Sequence, residues 1–131
     1  GEFICLLHGQ LKDKNIIITH GAITYQILNI VNDSSKDICL LTILSFDDDV
    51  INKLLLLIKN SSNNTNLLVI EENFRIGGLF ETLSIEMTNK NIYRKISFLN
   101  LPNKYIFDIY DRETLLNKYG ITKNNIENFL K

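Results

Sequence analysis

Four short runs almost free of charge constrain this chain most: residues 3–7, 15–19, 38–44 and 67–70. Each is four to seven residues long and rich in Ile, Leu, Val or Phe, the length and chemistry of a β-strand. The runs at 38–44 and 67–70 are apolar without alternation. A strand reads that way when both of its faces are covered, as in a parallel sheet sandwiched between helices.

Between the runs the apolar period lengthens. Ile23, Ile27, Ile30 and Val31 fall on one helical stripe that stops at Asn32-Asp33-Ser34-Ser35. Ser45-Phe46-Asp47-Asp48-Asp49 opens a second helix with Val50, Ile51, Leu54, Leu55 and Ile58 inward. Leu79, Leu83 and Met87 line a third. Residues 94–99 alternate around Ile96 and Phe98, as expected of a strand nearer the sheet edge. A helix from Asp111 with Leu115 and Leu116 inside is expected to stop at Gly120, and Thr122 to cap a last one carrying Ile126, Phe129 and Leu130. The order β-β-α-β-α-β-α-β-α-α predicts an α/β fold, a three-layer α/β/α sandwich. Its five-stranded sheet is mostly parallel, with the first strand, on its short link, free to run antiparallel.

Length and charge narrow the function classes. A chain of 131 residues is one domain's worth, here residues 1–131, and it buries enough surface to need no staple. Fourteen basic against fifteen acidic residues give a net charge of −1, without the basic excess of a nucleic-acid binder. No apolar run approaches the roughly 20 residues that span a bilayer, and no basic-then-apolar signal peptide opens the chain. Cys5 and Cys39 lie inside apolar runs and read as small buried hydrophobes in a reducing compartment. The expected setting is intracellular, in cytoplasm or an organelle lumen, with neither nucleic acid nor membrane as partner. Seventeen asparagines, about one residue in eight, reflect codon bias, so residues 61–66 read as a solvated loop.

Three groups could carry chemistry. Asp47, Asp48 and Asp49 follow a buried strand and could hold a hard cation, but Asp at a helix start also accepts from its free N–H groups. Glu71 and Glu72 follow another strand and precede Arg75 and the pair Gly77-Gly78. Adjacent residues on an extended chain point to opposite sides, so at most one glutamate faces a given pocket, where pairing with Arg75 or accepting from loop backbone is expected. Gly77-Gly78 lets backbone approach closely at a helix start, as an anion site does, yet the two glutamates oppose an anion. His20, beside Gly21 at the end of the second strand, is the histidine best placed for chemistry, and His8 falls in a turn. Phosphate-loop, dinucleotide, zinc and nucleophile motifs are all missing from the sequence. No catalytic, cofactor-binding or metal set is expected on this chain; His20, Gly21, Glu71, Glu72, Arg75, Gly77 and Gly78 form a candidate interface or ligand corner.

Four segments, in order, resemble one family. Ile16-Ile17-Ile18-Thr19-His20-Gly21 followed by Thr24-Tyr25-Gln26 is similar to the opening of the transketolase C-terminal domain, and Phe46-Asp47-Asp48-Asp49-Val50-Ile51 to its third-strand corner without the usual Lys-Pro. Val69-Ile70-Glu71-Glu72-Asn73-Phe74-Arg75-Ile76-Gly77-Gly78-Leu79 resembles the family's Glu-Glu to Gly-Gly segment, with Phe80 where a small residue is usual. Residues 115–122 and Ile126 resemble its terminal segment.

The resemblance implies a non-catalytic domain at the end of a thiamine diphosphate-dependent enzyme that moves a two-carbon ketol group between sugar phosphates. Thiamine diphosphate and a divalent metal (magnesium) would sit on other domains, and this domain would support a homodimer of the full-length enzyme. Alone, the chain would be inactive. Tyr119-Gly120 and Gly77-Gly78-Leu79 lean toward transketolases; Glu71-Glu72-Asn73 and Asn100-Leu101-Pro102 lean toward 1-deoxy-D-xylulose-5-phosphate synthases. Two readings from other classes stand beside these: a free-standing small-anion or ligand-binding α/β module, and an acyl- or phosphoryl-transfer enzyme using His20 with the Asp cluster.

Overall fold

The computed structural model describes residues 3–21, 23–34, 37–45, 47–72, 78–101 and 123–129. The elements run β1 (Ile4–His8), β2 (Asn15–His20), α1 (Thr24–Asn32), β3 (Ile38–Ile43), α2 (Asp48–Lys59), β4 (Asn66–Glu72), α3 (Leu79–Asn89), β5 (Lys95–Leu101) and α4 (Lys123–Phe129). The helix expected from Asp111, its stop at Gly120 and the Thr122 cap lie outside the described residues.

The sheet order is β1-β3-β2-β4-β5, with β1 antiparallel to β3 and every other pair parallel. This is the α/β architecture expected from the alternating strand and helix patterns. Period-two alternation along the three central strands divides the core in two. Ile16 and Ile18 of β2, Cys39, Leu41 and Ile43 of β3, and Leu67 and Val69 of β4 pack with α2 and α3. Ile17, Leu40, Leu68 and Ile70 face the other way, against Ile23, Ile27 and Val31 around α1 and Ile126 of α4. Because both faces are covered, β3 is buried at all six positions, and its run carries no outward polar residue.

Long-range polar bonds fix the ends of these strands. At the start of β2 and β4, Asn66 Nδ2 donates to Asn15 Oδ1 at 3.1 Å, and Asn15 Nδ2 donates to the Asp37 carbonyl at 3.0 Å. Asn15 and Asn66 are buried, as is Thr65, so the stretch read as a solvated loop is solvated only at residues 62–64. The C-terminal end of α2 is clamped by Arg94, whose Nη2 donates to the carbonyls of Ile58, Lys59 and Ser61 at 3.1–3.3 Å. A cation bonded to the last carbonyls of a helix also complements its dipole.

Two further local expectations are corrected. His8 ends β1 rather than occupying a turn, with Nδ1 3.2 Å from the Ile38 carbonyl. Cys39 is buried, and desolvation pushes its thiol up to about 11, but Cys5 is only half-buried because β1 lies at the sheet edge. Both thiols are free. Phe80, bulky where the resembled family is small, stacks on Phe98 of β5 with ring centroids 4.7 Å apart.

The turn from β1 to β2 depends on Gly9. Its φ is +72°, and a Cβ placed there would lie 2.0 Å from the Ile38 carbonyl oxygen, a backbone atom that cannot step aside. Gly9→Ala is therefore expected to destabilise the fold by roughly 1–3 kcal/mol, read as a lower urea midpoint at unchanged slope.

Candidate functional site

The sheet order creates a topological switch point. The chain leaves β2 through α1 toward β3 on one side, and leaves β4 through α3 toward β5 on the other. Between the carboxyl ends of two such adjacent strands open α/β sheets place their ligand crevices. The last residues paired across that gap are His20 of β2 and Glu71 of β4. Of the corner residues assembled from sequence, His20 and Glu71 thus stand at the carboxyl ends of the two strands that flank the switch point.

Alternation carries His20 and Glu71 onto the α2/α3 face, continuing Ile16-Ile18 and Leu67-Val69. Glu71 is 2% exposed. Its Oε2 accepts from the Leu79 N–H at 2.8 Å and its Oε1 from the Phe80 N–H at 3.3 Å. These are free donors of the first turn of α3, whose N-cap, Gly78, has no side chain to satisfy them. The carboxylate of β4 thus acts as the missing cap, and the helix dipole offsets part of the cost of burying its charge.

This arrangement occupies the anion-accepting backbone at the helix start that follows Gly78. The Leu79 and Phe80 amides are already bonded to Glu71, so an incoming phosphate would have to displace a buried carboxylate there. Of the remaining corner residues, Gly21 follows β2 with φ +101°, in the left-handed region open to glycine. Glu72 completes β4 and pairs in register with Leu101, its side chain lying outside the described residues. Arg75 and Gly77 lie outside them as well, so the expected Glu–Arg75 pairing is not part of this description.

His20 is half-buried at the strand end. Desolvation lowers its pKa below the ordinary histidine value, and the negative charge of Glu71 opposes that shift. The carboxylate whose charge His20 senses is thus Glu71, whereas Asp47 is engaged at the start of α2. There Asp47 Oδ1 accepts from the Val50 N–H at 3.0 Å, and the Ser45 hydroxyl donates to Oδ2 at 2.9 Å. These bonds, the Val50 one foremost, hold the Asp47 carboxyl below its usual range.

On the opposite face of the same strand ends lies a hydroxyl cluster that local pattern did not single out. Thr24 Oγ1 donates to Thr19 Oγ1 at 2.9 Å or to the Gly21 carbonyl at 2.8 Å, and lies 3.3 Å from Thr42 Oγ1. Thr42 Oγ1 in turn donates to the Thr19 carbonyl at 3.2 Å. All three threonines are buried, and together they fasten the start of α1 to β2 and β3. A signal existed: Thr19 and Thr42 are each the fifth residue of their strand, each directly after a run of apolar residues, and they pair in register.

Among the described residues, no group of three His, Cys, Asp or Glu side chains stands close enough to hold a metal ion. The described corner also does not fit a thiamine diphosphate site, because its helix-start amides already bond to an internal carboxylate.

No family model matches the chain, and no curated protein matches it by sequence. Among solved structures it is similar to the chain of a split-gene transketolase, an inactive β4 tetramer, at TM-score 0.63 and 18% identity. The match covers 96% of this chain and 40% of that one. The fold is therefore transketolase-like, and the chain spans about 40% of the length of the transketolase chain it matches.

Two expectations follow from the corner. Glu71→Ala removes both bonds to α3 and is expected to cost roughly 2–4 kcal/mol, whereas Glu71→Gln keeps one acceptor and costs less; urea unfolding of the two variants ranks them. His20, with a folded pKa below its unfolded one, takes up protons more readily when unfolded. Stability tied to it is complete above about pH 6.5 and falls as pH drops through the window down to its lowered value. His20→Gln is expected to flatten that part of the profile of melting temperature against pH and to leave the loss below about pH 4, where carboxylates such as Asp47 protonate.

Proposed function

We propose that this chain is a C-terminal, non-catalytic module of a thiamine diphosphate-dependent transketolase-type enzyme. The reaction would be transfer of a two-carbon ketol group between sugar phosphates, inside the cell. The observation that carries this reading is the likeness of 96% of the chain to a transketolase chain. The ordered sequence segments support it, above all the stretch from Glu71-Glu72 through Gly77-Gly78.

On this reading the switch-point corner is a contact surface. Glu71 holds the start of α3 in place, and His20, Gly21, Glu72, Arg75 and Gly77 present the adjoining loops to the rest of the enzyme. Thiamine diphosphate and magnesium would be held by the cofactor-binding domains or subunits, with this module packed beside them and steadying a homodimer. The described carboxylates favour such a division of labour, because Asp47 and Glu71 are both engaged in holding helix starts.

Two measurements test the proposal. Calorimetric titration of the chain with thiamine diphosphate and magnesium is expected to give no heat of binding, and micromolar affinity would overturn the reading. Co-expression with the cofactor-binding polypeptide of the same source is expected to yield a complex competent in ketol transfer between sugar phosphates, which this chain alone lacks; failure to associate would sink the assignment.

A further inference from the structure

We draw no further inference here: the strongest candidate, the polar cavity lined by Lys12, Asp13, Lys14, Asp37 and Thr65 at the amino ends of β2, β3 and β4, sets two lysines against two aspartates and so selects no ligand charge, and its rim adjoins residues 35–36, which lie outside the described residues.

Discussion

The Glu71 carboxylate is buried with two backbone N–H groups of α3 as partners, and the architecture around the switch point depends on that bond. A helix starting at Gly78 has no side chain at its cap, and its first donors would otherwise face a dry interior. A buried carboxylate without partners would cost several kcal/mol. Each group removes the other's penalty, so the end of β4 and the start of α3 are placed together. His20 feels the result directly: desolvation holds its proton affinity down while the Glu71 charge pulls the other way.

The opposite side of the same strand ends is fixed by neutral groups. Thr19, Thr42 and Thr24 share hydroxyl bonds with one another and with the Gly21 carbonyl, so α1 is held to the sheet without charge. The switch point is thus polar on both faces of the sheet but charged on one. The two connections from it, to α1 and to α3, are anchored by unlike chemistry. Acid acts on the charged side through His20, whereas the threonine anchor has nothing to titrate.

Much of this fold was legible because the central strands are covered on both faces. That makes them unbroken apolar runs, and the period shift at Ile23, Val50 and Leu79 then marks each helix. The position of the corner was legible too, since Glu71 and His20 both end apolar runs, and extended backbone lets only one of Glu71 and Glu72 face α3. What escaped were pairings between distant residues. The Asn15–Asn66 bond spans 51 positions, and Arg94 reaches back 36 to the Ile58 carbonyl. Neither leaves a local period. Asn66 was hidden further by the high background of asparagine, which made a buried strand-start residue look like part of a polar loop. Cys5 was misjudged for a related reason: an edge strand with an apolar sequence looks, in one dimension, like a central one.

That last ambiguity has a physical source. A run such as Ile-Cys-Leu-Leu is what a strand needs when it has a neighbour on each side and a layer on each face. β1 has one strand neighbour among the described residues, with Leu6 and Leu7 both exposed. Its composition therefore describes a more buried environment than the described residues supply. The acidic groups most suited to chemistry are meanwhile committed to helix starts, Asp47 at α2 and Glu71 at α3. Among the described residues, polar groups are turned inward to hold helices and apolar groups are turned outward along an edge. Both are in keeping with the proposed module that packs beside cofactor-binding domains.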